Sequence, residues 1–497
     1  MNDAAAGTPP QRLHPATLIL RWLRAIPQVA AGAVAAGVGM ASGGRGLWPV
    51  LLLIGIAAIV AILFALIAWW RFTYMIGSNE IVIEKGLLQR QRRVIPFDRV
   101  QDIAIEQKLL ARLFGTATVK IETGGSAADE GSLDMISLAD ARALRDHIRR
   151  GRASAAAATE PVAPMAEPVL FRMDFGRLLL AGLFNFSLVF LAAIIGILQY
   201  LEQLNLFDWE DWALGRGRET AAAYFSLTSA LALAALVLLL GMVAGVLRTV
   251  ARDFGFTLSR TAAGFRRRRG LLTLSEVVIP IRRTQAAVIQ SGLAGRLFGW
   301  RRLSFQTLGA DRKEGGVQIA APFARSRELV PILTEAAFPL PPPRRQFIGL
   351  PRRAMIRRVL PWLLLATAAG GVALIVAPWA GLGAGAMVLM AIGAVLRWRK
   401  HAYAIGDRAL FVTGGLIRRR LWIVPFERAQ VIEIVRGPVQ RGLALASLRF
   451  DTAGAPAFDP PDIVDLDAAE ARRLAAELLD RFHDGRRAGR ARLAAAA

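Results

Sequence analysis

Two patterns alternate along the chain: long uncharged apolar stretches, and shorter segments in which apolar and polar residues exchange every second position. Residues 47–70 run for 24 positions without a charge, enough for a helix to cross ~30 Å of hydrocarbon at ~1.5 Å per residue. Residues 178–200, 222–247 and 359–378 are equally uninterrupted, while 25–42 and 380–396 are shorter and rich in Ala and Gly. Small residues let helices approach closely in lipid. Each short stretch pairs with its longer neighbour, and the pattern predicts six transmembrane helices in three hairpins.

After each hairpin the period changes to two. Gly77-Ser78-Asn79 is a turn signal between Phe72–Ile76 and Glu80–Gly86, and alternation returns at Arg93–Pro96 and Thr116–Glu122. This predicts short antiparallel strands. A helical stretch then follows. Residues 465–479 place Leu474 and Leu478 on one face with acids in the first turn, and Ser137 is a candidate N-cap for 137–144. Several strands closed by one terminal helix make a module of roughly 80–90 residues, a size that holds its own core.

The module occurs three times. With Pro96, Pro280 and Pro425 as origins, a glycine recurs ten residues upstream as Gly86, Gly270 and Gly415. Downstream, in register and without gaps, come Arg99, Arg283 and Arg428, then Gln101, Gln285 and Gln430. Further on lie Arg112, Arg296 and Arg441, then Thr123, Thr307 and Thr452, then Gly125, Gly309 and Gly454. The chain is a triplicated unit, so its function is that of one module used three times. The repeated Arg-x-Gln reads as a structural hydrogen-bond or ion-pair element inside each module, with ligand binding as the alternative.

Charge sets orientation. The net charge of +24, from 62 Lys+Arg against 38 Asp+Glu, suits nucleic acid or an anionic membrane. The apolar spans choose the membrane, and no nucleic-acid partner is expected: that third class rests on charge alone and lacks aromatics interleaved on a basic face. Arg12, Arg21 and Arg24 precede the first span, and Arg344, Arg345, Arg352, Arg353, Arg357 and Arg358 precede the fifth. Arg397, Arg399 and Lys400 follow the sixth, whereas 201–221 inside the second hairpin is acidic. Lys and Arg accumulate on the cytoplasmic side. A multi-pass protein of the bacterial cytoplasmic (inner) membrane is expected, with both termini and all three modules cytoplasmic and no cleavable signal peptide.

Catalytic chemistry is hard to find. There is no cysteine, and His14, His147, His401 and His483 lie in distant regions, so no zinc set or histidine base pair has the required spacing. No phosphate-binding loop and no nucleophile elbow occur. We expect no enzyme activity, no cofactor and no metal. The span interiors lack ionisable residues, which argues against an ion-coupled transporter. Asn185 and Gln199 read as interhelical or interfacial groups. Basic runs remain as candidate anionic-surface contacts: Arg90, Arg92 and Arg93; Arg266, Arg267, Arg268 and Arg269; Arg418, Arg419 and Arg420. At an anionic leaflet such clusters contribute on the order of 1 kcal/mol per cation. The competing reading is that they only fix topology.

The runs Pro96-Phe97-Asp98-Arg99-Val100-Gln101 and Pro425-Phe426-Glu427-Arg428-Ala429-Gln430, with a following Leu-Phe-Gly and a strand ending in Thr-x-Gly, resemble the bacterial pleckstrin-homology domain of the second type. Three such domains, each behind a transmembrane pair, resemble the YdbT-like membrane proteins. The second copy departs with Ile281 and Arg282, the third with Arg441-Gly442-Leu443-Ala444. The resemblance implies pleckstrin-homology-like β-barrel or sandwich domains closed by a C-terminal helix, hence membrane α-helical hairpins plus β-rich (α+β) modules. The expected layout is a tail and first hairpin over 1–70, modules over 71–152, 248–337 and 399–485, and hairpins over 178–247 and 359–398. Linkers are expected at 153–177 and 338–358, with a tail at 486–497. The expected function is non-enzymatic contact with anionic headgroups, a partner protein or another copy. The resemblance adds a role in envelope stress or resistance to membrane-active agents. A lipid or small-molecule transporter is the alternative.

Overall fold

The computed structural model describes residues 11–18, 48–77, 79–86, 90–123, 131–155, 167–185, 227–307, 316–375, 380–428, 431–451 and 461–495. The chain forms two compact units, one of residues 1–167 with 266–278, the other of 168–265 with 279–497. The expected span at 25–42 and most of that at 178–200 lie outside the described residues.

In the first unit, β1 (Gln11–Arg12), β2 (Thr73–Ile76), β3 (Glu80–Lys85) and β4 (Gln91–Pro96) form an antiparallel sheet in that order. Then come β5 (Val100–Gln107), helix α1 (Leu109–Leu113), β6 (Thr116–Thr123), β7 (Gly131–Ser137) and helix α2 (Leu138–Ala155). The core takes Ile81, Ile83 and Ile95 from the first sheet, Val119, Ile121 and Leu133 from the second, and Ala141, Leu144 and Ile148 from α2. Ser137 caps α2: its hydroxyl accepts from the Asp140 amide at 3.0 Å.

The second repeat starts with β8 (Val169–Arg172) paired to β9 (Thr257–Thr261) and continues through β10 (Gly264–Arg269) and β11 (Leu274–Pro280). Its second half is β12 (Thr284–Ser291), α3 (Leu293–Leu297), β13 (Trp300–Thr307), β14 (Val317–Arg325) and α4 (Ser326–Glu335). The third repeat is β15 (Ile348–Gly349), β16 (Ala402–Ile405), β17 (Ala409–Gly414) and β18 (Arg419–Pro425). It continues with β19 (Val431–Val435), α5 (Pro438–Gly442), β20 (Leu445–Asp451), β21 (Ile463–Asp467) and α6 (Ala468–Ala495). Phe426 and Phe482 meet at 5.6 Å between ring centroids, fixing α6 to the turn after β18.

The repeats are not separate beads. In the second unit one sheet runs β14-β13-β12-β18-β17-β16-β15, crossing from the second repeat to the third. Successive side chains of the shared strands serve different cores. Ala287, Ile289 and Ile423 belong to one; Ala286, Val288, Trp422 and Val424 belong to the other. A strand buried on both faces must be continuously apolar, which accounts for Ala286-Ala287-Val288-Ile289. In the first unit β5 pairs with β11, Gln107 opposite Leu274 and Ile105 opposite Glu276.

Each apolar segment is inserted within a module. Strands β1, β8 and β15 precede the apolar segments in sequence and pair with β2, β9 and β16 after them. This corrects the expected boundaries: the proposed linkers 153–177 and 338–358, and the N-terminal tail, each contain a strand of the following module. Leu13 and Leu350 are buried beside those strands. Strands of two to four residues carry no readable periodicity, and the apolar segments separate them from their partners.

Helix α7 (Trp48–Trp70) covers the strong part of the first apolar stretch; in chain order it lies between β1 and β2. Helices α8 (Phe175–Phe184) and α9 (Leu227–Asp253) cross tightly: a Cβ on Gly182 would lie 2.6 Å from Val246 Cα, and one on Gly245 would lie 2.7 Å from the Asn185 carbonyl oxygen. Asn185 Nδ2 donates to Thr249 Oγ1 at 3.3 Å, the interhelical role read from sequence. Helices α10 (Arg352–Ile375) and α11 (Ala380–Lys400) pair next to each other. Arg352–Ile375 and Gly381–Lys400 are long and apolar enough to cross a membrane, with 18-residue windows of mean hydropathy 1.7 and 1.6. Leu364, Leu374, Leu382 and Leu389 are exposed along them, as side chains facing lipid would be.

The third hairpin is fastened to its module by charge. Asp465, fully buried on β21, pairs with Arg357 at 2.6 Å and Arg358 at 3.0 Å, and accepts from Gln440 Nε2 at 2.7 Å. Burial pushes the Asp465 carboxyl up, and hydrogen bonds from Arg357, Gln440 and Arg358 bring it below the usual carboxylate range.

Candidate functional site

The glycines and prolines of the repeat shape the backbone. Pro96, Pro280 and Pro425 each end a strand. Gly86, Gly270 and Gly415 take φ of 117°, 116° and 90°, where an L side chain is strained. A Cβ on Gly270 would strike the Thr273 carbonyl oxygen, and one on Gly415 that of Arg418. These turns bring the basic run to the start of the next strand.

In the second unit one such run meets other cations. A recess of about 840 Å³ is lined by Arg296 of α3, Arg301 of β13, Arg344, Arg399 and Lys400 at the end of α11, and Arg419 of β18. Trp300, Leu329, Leu333, Phe347 and Leu421 supply apolar wall. None of its lining residues is acidic. Burial lowers the Arg301 pKa first, and the nearby Arg344 lowers it further. Burial likewise leads for Arg419, followed by Arg344, Arg296 and Arg301. Arginine stays protonated regardless, so these directions report burial first and the closeness of like charges second. A bound anion would offset those charges.

A second recess of about 640 Å³ lies in the same unit, lined by Arg248 and Arg252 of α9 with Arg301, Arg302 and Arg418, again without a carboxylate. The two share Ser291, Gly295, Trp300 and Arg301. Trp300 is held rigid, stacked on Phe323 at 4.3 Å and covered by Arg325 at 4.3 Å. Guanidinium groups bind phosphate oxygens through paired N–H donors, and a recess of this volume suits a small-molecule-sized group. Both recesses include the last turns of long apolar helices.

Of the residues read from sequence as surface contacts, Arg418 and Arg419 enter these recesses, and Arg420 is half-buried beside them in β18. Arg90, Arg92 and Arg93 are exposed at β4, Arg92 lying 3.6 Å from Glu84. The run on β10 requires correction. Arg267 is only 1% exposed and Arg269 is buried, so neither can touch a surface. Arg266 pairs with Glu167 at 2.9 Å and Glu276 at 3.7 Å, leaving Arg268 as the exposed member. Four consecutive arginines in a strand necessarily alternate faces. Arg301, Arg344, Arg399, Lys400, Arg248 and Arg252 were missed as site residues. They come from scattered elements, and only their positions near span ends hinted at them.

The Arg-x-Gln motif also needs revision. Arg428 Nη1 donates to the Thr284 carbonyl oxygen at 2.7 Å and to its hydroxyl at 2.9 Å, in the preceding repeat. Arg283 is half-buried and Arg99 exposed, so equal offsets do not give equal environments. Gln285 is buried and donates to the Arg283 carbonyl at 3.3 Å; the Gln101 side chain and Gln430 lie outside the described residues. The other recurring arginine crosses repeats too. Arg112 donates to the Leu271 carbonyl at 2.7 Å, and Arg296 to the Leu416 carbonyl at 2.9 Å. Among the described residues no group of His, Cys, Asp and Glu could hold a metal ion.

The chain is 24% identical over 411 residues to the UPF0699 transmembrane protein YdbT of Bacillus subtilis (strain 168), covering 78% of this chain and 81% of that protein. It is 36% identical over 81 residues to the UPF0699 transmembrane protein YdbS of the same organism, spanning 16% of this chain and about half (48%) of that relative's length. No solved structure matches. Residues 20–152, 178–330 and 355–482 each match the bacterial PH domain, and they take in all three repeats. The chain is a membrane protein with repeated modules and belongs to the family of bacterial PH domains.

Proposed function

We propose that this protein is a non-enzymatic, six-span protein of the bacterial inner membrane whose cytoplasmic modules hold the phosphate groups of acidic lipid headgroups. One observation carries the reading: six cationic side chains converge on the larger recess without a lining carboxylate, two of them from the end of an apolar helix. An apolar helix ending at Lys400 supports a recess at headgroup depth, where anionic lipid is concentrated. The second recess, at the end of α9, supports the same reading. The positive-inside bias supports a cytoplasmic location for both termini and all modules. The modules' terminal helices close their cores in this scheme. A role in envelope stress or resistance to membrane-active agents rests on family resemblance alone.

The test uses the full chain in nanodiscs of neutral lipid, titrated with vesicles containing anionic phospholipid. Changing Arg301, Arg344 and Arg419 together to Gln should weaken association at least tenfold, since each cation contributes on the order of 1 kcal/mol. Association should also weaken with salt. Equal binding by the triple variant would refute headgroup capture. Free inorganic phosphate competing as well as vesicles would indicate a soluble anion instead.

A further inference from the structure

The junctions between repeats have a fixed register, and among the described residues the first and third repeats each leave one half of such a junction uncovered. In the first unit, Ile105 lies opposite Glu276 and Glu106 opposite Ser275. In the second, Ile289 lies opposite Leu421 and Gln290 opposite Arg420. Measured from each repeat's own proline, these are the same pairings: nine residues after one proline faces four before the next, and ten faces five. The side-chain bonds recur as well. Arg112 and Arg296, each sixteen after its proline, donate to the carbonyls of Leu271 and Leu416, each nine before the next. A register that repeats with its flanking bonds is a specified interface rather than an incidental edge contact.

Strand β4 carries the acceptor half of this junction and β19 the donor half. Each is an edge among the described residues, since the first sheet ends at β4 and the last begins at β19. Their exposure shows the missing cover. Two residues before the proline, Val278 and Ile423 are 7% and 0% exposed, whereas Val94 is 45% exposed. Six after it, Ala286 is fully buried, whereas Val431 is 53% exposed. Arg441, the third repeat's counterpart of Arg112 and Arg296, is exposed.

We propose that β19 of one molecule pairs antiparallel with β4 of a second copy, so that the protein associates head to tail through a further junction of the kind it already contains. The common register sets Ile432 opposite Val94, Glu433 opposite Arg93 and Ile434 opposite Arg92. Where the internal junction has Val288 opposite Trp422, the intermolecular one has opposite charges. Glu433 is exposed, and its position selects the basic β4 edge over another β19. Val94 and Val431 become covered. Exposed strand edges with apolar side chains are the usual sites of strand addition.

The native chain has no cysteine, which makes cross-linking clean. Two differently tagged full-length chains, one Arg93→Cys and one Glu433→Cys, are co-expressed and oxidised in membranes. Directly opposed residues have Cα atoms about 4.5–5.5 Å apart, within reach of a disulfide. The expected product is a mixed-tag dimer, strongly reduced when Gln91→Cys replaces Arg93→Cys. Absence of that dimer, or no preference over Gln91→Cys, would overturn the proposal. So would a Arg93→Cys/Glu433→Cys chain that closes only on itself. A second measurement needs no cysteine: wild type in detergent should exceed the monomer mass and Val431→Lys should return to it. A wild type that is monomeric at every concentration would equally overturn it.

Discussion

Arg428 leaves its own repeat to bind Thr284 of the preceding one, donating at 2.7 Å to the carbonyl oxygen and at 2.9 Å to the hydroxyl. The guanidinium also lies over the Phe338 ring, 4.7 Å from its centroid. One side chain therefore ties the turn after β18 to the first residue of β12 and to the segment after α4. The recurring arginine is a joint between modules.

The first prediction follows. Arg428→Ala should destabilise the second unit by about 1–3 kcal/mol, because a buried carbonyl loses its partner. Arg99→Ala, at the same offset but exposed, should shift the unfolding midpoint by much less. Thermal unfolding of both full-length variants in detergent decides this. Equal losses would restore the reading in which the motif stabilises each module from within.

A second prediction concerns Gly415. Its φ of 90° and the approach of the Arg418 carbonyl leave no room for a Cβ. Gly415→Ala should cost on the order of 1–3 kcal/mol. It should also displace Arg419 and so weaken association with anionic vesicles. A variant with native midpoint and native vesicle association would show that this turn does not position the run.

Much of this architecture is legible in the sequence because the repeat is gapless. Pro96, Pro280 and Pro425 mark strand ends, and the glycines ten residues upstream mark left-handed turns. The apolar helices are legible because lipid demands long uncharged runs. The joints were not legible. Antiparallel pairing of β12 with β18 depends on residues more than 100 positions apart in the chain, and local periodicity carries no information about the partner. Nor does a run of four arginines tell which will be buried: Arg267 and Arg268 are adjacent, yet one is inside and the other outside. The recess was hidden for a similar reason, since Arg296, Arg344 and Lys400 meet only after folding.

Asp465 gives a third prediction. Its carboxylate is shared by Arg357 at Oδ1 and Arg358 at Oδ2, and Gln440 also donates to Oδ1. Removing one partner of a buried pair typically costs about 3–5 kcal/mol, because the remaining charge is left uncompensated. Asp465→Ala should therefore loosen the third hairpin from its module, read as faster proteolysis between α11 and β16. Replacing the whole set, Asp465→Asn together with Met at both arginines, should be milder than Asp465→Ala, since no buried charge is stranded. If Asp465→Ala leaves proteolysis and midpoint unchanged, the anchor is ornamental.

The last prediction is a pH dependence centred on His401, next to that anchor. Burial lowers its pKa to about 4, helped by the charge on Arg358 and, more weakly, Arg397, while Asp465 and a backbone hydrogen bond at Asp462 oppose the shift. The unfolded chain's histidine titrates near ~6.5. Because the folded value is the lower one, the unfolded state takes up a proton that the folded state refuses. Stability is then full above about 6.5 and falls as pH drops toward 4, with a slope approaching ~1.4 kcal/mol per pH unit. The Asp465 contribution has a different window. Its folded pKa lies below the ordinary carboxylate value, so its contribution is present above ~3.9 and is lost only as pH falls further. Unfolding midpoints of the full chain in detergent should therefore decline between pH 6.5 and 4, and His401→Gln should flatten that decline while leaving the drop below pH 4. An undiminished decline between pH 6.5 and 4 in His401→Gln would assign the proton to another group.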